Sequence, residues 1–274
     1  MAITTASKRA VFRALHQQDC FVLPNPWDAG SARYLQSVGF KALATTSSGF
    51  AWSTGRPDGA APLTEILAHF ESLVATADIP INADFENGHA EDVSDMTAHV
   101  RAACRTGIAG LSIEDSPKDG QKPLYDLAYA AARIKAARVA IDAEGGDVLL
   151  IGRAENFIVG RPDLDDVLRR LTAYAEAGAD CLYAPGLKTE AEITAVVRAV
   201  APKPINVLVT APGFTVAGLS ALGVRRISVG GALARCAWGE FMRAAGEIAG
   251  LGTFESLGRA ASGRDLNALM DRGP

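Results

Sequence analysis

Eight short apolar runs recur along the chain, and each is followed by a stretch in which apolar residues have helical spacing. The runs cover residues 21–23, 42–46, 79–84, 110–114, 148–152, 181–184, 205–209 and 226–229. After the fifth run, for example, Leu164, Val167 and Leu171 share one face of a helix predicted over 163–178, which ends at Gly178. The alternation predicts an α/β fold, a (β/α)₈ barrel of TIM type with extra C-terminal helices.

The competing architecture is an open, doubly wound sheet that binds a dinucleotide. No G-x-G-x-x-G follows the first run, which weakens that alternative. The 274 residues are 49% hydrophobic, so the chain can bury a large core. We therefore predict one barrel domain over 1–274, with a helical tail at 239–274 that contains an amphipathic stretch at 240–249.

Charge and cysteine usage exclude several classes of function. The 27 basic and 31 acidic residues give a formal charge of −4, and no basic run could follow a phosphate backbone, so nucleic acid is not an expected partner. No segment is long and apolar enough to span a bilayer, and residues 1–10 are polar, so no membrane partner and a cytoplasmic location are expected. The cysteines form no C-x-x-C pair, which predicts neither a zinc site nor a disulfide framework.

Two carboxylates stand at the end of the third apolar run. Asp84 and Glu86 are spaced two apart, and side chains two apart on a strand point the same way. Carboxylate oxygens at this position can hold a hard cation such as Mg²⁺. With Glu114, which ends the fourth run, they form the predicted metal site.

Other polar residues follow the remaining runs, at the end of a barrel where active sites lie. They are Asn25, Asp28, Thr46, Ser47, Ser48, Gly49, Asp115, Arg153, Glu155, Asn206 and Thr210. This set suits a small anionic substrate: the cation polarises a carbonyl or enolate oxygen, and Arg153 pairs with a carboxylate. The Ser48-Gly49 turn supplies donors to a developing oxyanion. Two plainer interpretations remain open, in which Arg153 is an ion-pair partner of Glu155 and Asp115 only caps its loop.

The chain resembles the isocitrate lyase and phosphoenolpyruvate mutase superfamily in five blocks that follow one another in family order. They are LPNPWDAGSARYLQSVGFKALATTSSGFA, NADFENGHAEDV, GIAGLSIEDS, GRAENFIVG and AEAGADCLYAPG. The resemblance implies a modified (β/α)₈ barrel, a Mg²⁺ cofactor with Mn²⁺ as a substitute, and chemistry at a C–C or C–P bond beside a 2-oxo acid. It also implies a homotetramer, often with a C-terminal helix exchanged between neighbours.

The resemblance assigns roles to individual residues. Ser48 and Gly49 match the turn that binds the substrate oxyanion, and Asp58 in GRPDG matches an acidic residue of the mutase-like members. Arg153 matches the arginine that binds the substrate carboxylate. The same matching puts Asp84, Glu86 and Glu114 in the metal shell, with Glu86 in place of the usual aspartate.

The segment 116–123 departs from the family. Isocitrate and methylisocitrate lyases carry a K-[KR]-C-G-H loop whose cysteine is the catalytic acid, but this segment reads SPKDGQKP. A lyase that needs this thiol is disfavoured, because serine and lysine are poor substitutes for it. The asparagine and threonine of the mutase loop are absent as well. The departures favour the less specialised members, such as oxaloacetate decarboxylases.

The sequence therefore predicts a Mg²⁺-dependent enzyme that cleaves a C–C bond next to the carbonyl of a small 2-oxo or 2-hydroxy carboxylate through an enolate. Phosphonate C–P chemistry, of the mutase or hydrolase kind, is the first alternative, and Asp58 favours it. The second is a barrel that binds or senses 2-oxo acids without turnover, which the missing loop acid favours.

Overall fold

The computed structural model describes residues 3–117 and 122–271. Eight parallel strands form its centre, in the spatial order β1-β8-β7-β6-β5-β4-β3-β2. The strands are β1 Phe21–Leu23, β2 Leu43–Ala44, β3 Ile81–Asp84, β4 Gly110–Glu114, β5 Leu149–Arg153, β6 Cys181–Tyr183, β7 Ile205–Leu208 and β8 Arg226–Ser228. Each lies within a predicted run or extends one residue past it, so the prediction of a (β/α)₈ barrel is confirmed.

The seam between β1 and β2 is joined at the ends of the strands. The N–H of Ala44 donates to the carbonyl of Pro24 at 3.0 Å. Asn25 donates to the carbonyl of Thr45 at 2.8 Å and accepts from the N–H groups of Val229 and Gly230 at 2.9 and 2.8 Å. One buried amide therefore fixes the ends of β1, β2 and β8 around the carboxyl mouth of the barrel.

Helices alternate with the strands and cover the barrel. They are α1 Thr5–Leu15, α2 Ala29–Ser37, α3 Ser47–Ser53, α4 Leu63–Thr76, α5 Val93–Arg105, α6 Leu127–Ala143, α7 Leu164–Glu176, α8 Glu190–Val200, α9 Val216–Ala221, α10 Ala232–Leu251 and α11 Gly263–Met270, with a 3₁₀ helix at Glu255–Arg259. The predicted helix over 163–178 is α7: Asp163 caps it by accepting from the N–H of Asp166, and Val167 and Leu171 face the core. The apolar core lies between the strands and these helices.

The two ends of the barrel differ. At the amino end, α1 places Phe12 in the interior, where its ring meets those of His16 and Phe21 edge-on. Farther along the axis the interior holds polar side chains, among them Asn82, Asn206 and Arg226, which are 2%, 0% and 3% exposed. Bulky aliphatic side chains usually fill this space. The polar interior is thus continuous with the carboxyl mouth.

The C-terminal residues form the predicted helices. The stretch 240–249 lies inside α10, which begins at Ala232, so position 239 falls within a helix. Helix α11 lies against α2, where Arg33 donates to the carbonyl of Met270 at 2.9 Å. Residues 272–274 lie outside the described range. No helix in 3–117 or 122–271 has the length and apolar character needed to cross a membrane.

Candidate active site

The carboxyl ends of the strands surround a cavity of about 150 Å³. Of the residues predicted for the site, Ser47, Ser48, Asp58, Asp84 and Arg153 line its wall. Asp58 belongs to an exposed loop, so it contributes to the rim. The structure therefore brings residues from three distant parts of the sequence to one mouth.

Arg153, at the end of β5, is the centre of an ion-pair cluster. Its Nη1 lies 3.2 Å from Oδ1 of Asp84 and 3.3 Å from Oε2 of Glu114. Its Nε donates to Glu155. Arg153 was interpreted either as the residue that binds a substrate carboxylate or as an ion-pair partner of Glu155. The two interpretations are compatible, because the ion pair with Glu155 forms at the wall of the cavity.

The cluster places three carboxyl groups, those of Asp84, Glu114 and Glu155, around one guanidinium. Burial raises the pKa of Glu114 well above its usual range; Arg153 opposes this effect, whereas Glu155 and Asp84 add to it. Burial also raises the pKa of Glu155, against the nearby charge of Arg153. Burial disfavours the cationic form of Arg153, but Glu155 and Glu114 outweigh it and raise the pKa of Arg153 well above its ordinary value. A cation bound beside these carboxyl groups would oppose the rise in their pKa values and favour their ionised forms.

The fit of a divalent cation rests on Asp84 and Glu114. Both carboxylates lie beside Nη1 of Arg153, and oxygen donors of this type suit Mg²⁺, which keeps several of its waters in proteins. Across 3–117 and 122–271, no three or more His, Cys, Asp or Glu side chains are grouped so as to hold a metal by themselves. The two carboxylates fit a cation whose remaining ligands are water or substrate.

Glu86 and Asp84 both line a second, much smaller cavity, together with His69, Phe70 and His89, and Asp84 also lies in the wall of the mouth cavity. Burial lowers the pKa of His69 and of His89 to about 4 in each case. Asp84 and Glu86 therefore share the small cavity, and Asp84 links it to the mouth cavity through its ion pair with Arg153.

The Ser48-Gly49 turn is the first turn of α3. Thr46 caps the helix and accepts from the N–H of Gly49 at 3.3 Å, and the N–H of Ser47 donates to Oδ2 of Asp84 at 3.2 Å. A Cβ on Gly49 would lie 2.7 Å from Cγ2 of Thr46, so this position needs glycine for close packing. Ser48 is the member of the turn whose side chain faces the cavity.

Asn206 lies deeper than the wall residues. Its Nδ2 donates to Oγ of Ser228 at 2.9 Å, and Ser228 lines the cavity. Thr210, farther along the chain, reaches the wall itself. Residues 118–121, in the middle of the segment 116–123 that departs from the family, lie outside the described residues.

Asp115 does more than cap a loop. Its Oδ1 accepts from the N–H of Glu155 at 2.8 Å, and its Oδ2 accepts from Arg170 at 3.0 Å and from the hydroxyl of Tyr174. Burial raises its pKa, and the hydrogen bonds from Tyr174 and Glu155 oppose that rise. Asp115 thereby ties the ends of β4 and β5, which carry Glu114 and Arg153, to α7. Sequence contained a signal for this brace, because Arg170 and Tyr174 share the apolar face of α7.

Sequence reasoning also missed Tyr183 and Arg226, which line the cavity from β6 and β8. The ring of Tyr183 lies under the guanidinium of Arg153, with 5.1 Å between Cζ and the ring centroid. Burial raises the pKa of Tyr183 to about 12 and lowers that of Arg226. The sequence did contain a signal for Arg226, because this charged residue belongs to the apolar run 226–229.

The sequence and the fold of the chain have counterparts among known proteins. A model of the phosphoenolpyruvate phosphomutase family matches residues 12–249. The chain belongs to the isocitrate lyase and phosphoenolpyruvate mutase superfamily. The match covers all eight strands, so the family assignment and the barrel support each other.

Individual relatives in this superfamily differ in how closely they match. A crystal structure from Burkholderia cenocepacia J2315, provisionally assigned as a lyase/mutase, is 45% identical, with a TM-score of 0.95 over 98% of this chain and 99% of that chain. Protein Rv1998c of Mycobacterium tuberculosis H37Rv is 33% identical over 80% of this chain and 81% of its own length. Oxaloacetate decarboxylase of Paraburkholderia xenovorans LB400 is 28% identical over 72% and 67%. These similarities support an enzyme of the superfamily.

Proposed function

We propose that the chain is a Mg²⁺-dependent enzyme that cleaves the C–C bond next to the carbonyl of a small 2-oxo or 2-hydroxy carboxylate, with oxaloacetate as the type of substrate. The observation that carries the proposal is the cluster of Asp84, Glu114 and Arg153 on three adjacent strands at the carboxyl mouth. Similarity to an oxaloacetate decarboxylase favours the same reaction class.

Asp84 and Glu114 would hold the Mg²⁺ ion, or Mn²⁺ in its place; the bound ion would act as a Lewis acid toward the carbonyl. Arg153 binds the carboxylate beside that carbonyl through its planar fork of N–H donors. Ser47 and Gly49 hold the turn at the start of α3 through their hydrogen bonds to Asp84 and Thr46. The turn directs the hydroxyl of Ser48 into the cavity, where it stabilises the enolate oxygen.

With oxaloacetate, the bond between C3 and C4 breaks and CO₂ leaves. The electron pair of that bond enters the C2 carbonyl and gives the enolate of pyruvate. A proton from water or from the segment 116–123 then adds to C3 and yields pyruvate. Asn206 orients Ser228 beneath the substrate by donating to its Oγ.

Release of a small 2-oxo acid tests the proposal. Oxaloacetate, methylisocitrate, isocitrate and phosphonopyruvate are each offered with and without Mg²⁺, and the product, which is glyoxylate for isocitrate and pyruvate for the other three, is followed through its reduction by lactate dehydrogenase. We expect metal-dependent release from one of the first three substrates, and a loss of about a hundredfold or more in Asp84→Asn, because that change removes a metal ligand. Asp95→Asn, on the first turn of α5, is the control and keeps wild-type activity.

The controls also separate enzyme from background. Oxaloacetate decays spontaneously, and faster with free metal, so equal rates in wild type and Asp84→Asn would contradict the proposal. Binding of these acids without any turnover would identify a sensor instead. Release from phosphonopyruvate alone would favour C–P chemistry, which Asp58 at the rim and the phosphomutase family model support as the second candidate.

We also propose a homotetramer in a cytoplasmic setting, with the small carboxylate as the only ligand besides the metal. The exposed apolar side chains of α10 support the oligomer, since Phe241, Met242 and Leu251 are 62%, 65% and 77% exposed. Exposed apolar surface of this extent is typical of interfaces.

A further inference from the structure

The two walls of the mouth cavity differ in charge. The wall formed by β3, β4 and β5 is acidic and has Arg153 at its centre. The wall formed by β7, β8 and the residues after them includes Thr210, Arg226, Ser228 and Gly230, and none of its described residues is acidic. A ligand that spans the cavity therefore meets a metal-binding side and a cationic side.

Arg226 is the source of the positive charge on the second wall. Its side chain is buried, with 3% exposure, yet it lines the cavity. Nη1 donates to the neutral Oδ1 of Asn82 at 3.3 Å, and Nε has no hydrogen-bond partner within 3–117 and 122–271. In the same ranges, no carboxylate lies within ion-pair distance of this guanidinium.

An isolated buried charge is costly, and removing it from a core often stabilises a protein. The neighbours of Arg226 offset part of the cost, since Asp84 favours its positive charge from beyond ion-pair distance. The ring of Phe12 lies below the guanidinium, with its centroid 5.9 Å from Cζ, and Asn82 is neutral. Arg153, in contrast, already pairs with three carboxylates. Of the two arginines that line the cavity, Arg226 is the one with no carboxylate at ion-pair distance among the described residues.

We propose that Arg226 binds a second anionic group of the substrate and so restricts the enzyme to dianions, such as 2-oxo dicarboxylates. The inference rests on the proposed function, because it takes the first carboxylate and the carbonyl to lie at Arg153 and the metal. The distal group then extends across the cavity to β8, where Ser228 and Thr210 add hydroxyl donors. The wall formed by β7 and β8 selects a ligand by its negative charge. A distal carboxylate and a distal phosphonate both meet this requirement.

The test compares ligands that differ by one carboxylate. Binding of (S)-malate and (S)-lactate is measured by calorimetry with Mg²⁺ and with EDTA, for wild type, Arg226→Met and Arg226→Lys. Arg225→Met is the matched control, because Arg225 is the exposed neighbour on the same segment. Phosphonopyruvate is a third ligand, and a preference for it over malate that depends on Arg226 would identify the distal group as a phosphonate.

We expect wild type and Arg225→Met to bind malate more tightly than lactate. In Arg226→Met, malate affinity falls about tenfold to a hundredfold, as for loss of a charged hydrogen-bonding group, while lactate affinity is unchanged. Arg226→Lys retains part of the preference. Because methionine removes a buried charge, the Tm of Arg226→Met stays equal to wild type or rises.

Three outcomes of the binding comparison would overturn the inference: wild type with no preference for malate, Arg226→Met with an unchanged preference, or equal losses for both ligands together with a lower Tm. The last would assign Arg226 a structural role. If Arg226→Met does not fold, the same comparison in Arg226→Lys decides. If malate is preferred over lactate through Arg226 but no substrate is turned over, the proposed reaction alone is refuted. If the enzyme turns over oxaloacetate and Arg226→Met leaves its KM unchanged, the inference about Arg226 alone is refuted.

Discussion

At the scale of single residues, the sequence predicted which side chains end the strands, but it did not predict the backbone conformation of the residues that follow them. Asp84, Glu114 and Arg153 end their strands, and the structure brings them together as expected. Glu86 was expected to point with Asp84, because side chains two apart on a strand share a face. Strand β3 ends at Asp84, however, and Glu86 has φ 48°, in the left-handed region, so the alternation no longer applies.

Asp115 gives the residue-scale prediction. We expect Asp115→Asn to lower the free energy of unfolding by about 3 kcal/mol, because it leaves the buried guanidinium of Arg170 with Asp166 as its remaining carboxylate. Urea unfolding measures this loss. Asp126→Asn is the control: Asp126 is 84% exposed and lies 3.6 Å from Lys122, so a change below about 0.5 kcal/mol is expected. Equal effects in the two variants would show that Asp115 does not brace the site.

At the scale of secondary structure, the strands were predicted closely and the start of the tail less so. Apolar runs bounded by polar residues mark strands because each strand is buried on both faces. Helix α10 extends eight residues before the predicted stretch 240–249, and its only buried residue is Ala234. Its exposed face is apolar as well. The start of α10 is therefore not marked by the change between apolar buried and polar exposed positions that marks the other helices.

The outer face of α10 gives the element-scale prediction. If neighbouring subunits cover it, Phe241→Asp places a charge in an apolar interface and shifts the tetramer toward smaller species. Sedimentation velocity at micromolar concentration measures the shift. Val139→Asp on α6 is the matched control, since Val139 is 59% exposed, and it leaves the assembly intact. A wild-type monomer, or a tetramer unchanged by Phe241→Asp, would refute the role of this face.

At the scale of the whole molecule, the barrel axis links the two ends of the structure. Helix α1 closes the amino end with Phe12 and His16, and Arg226 lies between this plug and the mouth cavity. Sequence identified the barrel from its repeated units, but it did not show which residues would fill the interior, because strand register decides that. Asn206 lies beside Arg226 in the register of β7 and β8. The polar interior is therefore a property of the closed barrel.

The pH dependence of stability should show that His16 is buried at the amino end of the barrel. Burial, and then the charge of Arg226, lower the pKa of His16 to about 3, from 6.5 in an exposed imidazole. The folded state keeps His16 neutral while the unfolded chain takes up a proton below about pH 6.5. The stability that the neutral ring contributes is fully present above that pH and is lost toward pH 3, by about 1.4 kcal/mol per pH unit.

We therefore compare urea unfolding of wild type and His16→Gln between pH 7.5 and pH 5, since glutamine keeps a polar side chain but does not titrate. The difference between the two proteins cancels the carboxylates and the other histidines. It should change in favour of His16→Gln by about 2 kcal/mol on going from pH 7.5 to pH 5. A difference that stays constant would mean that water reaches His16, and that the amino end of the barrel is open.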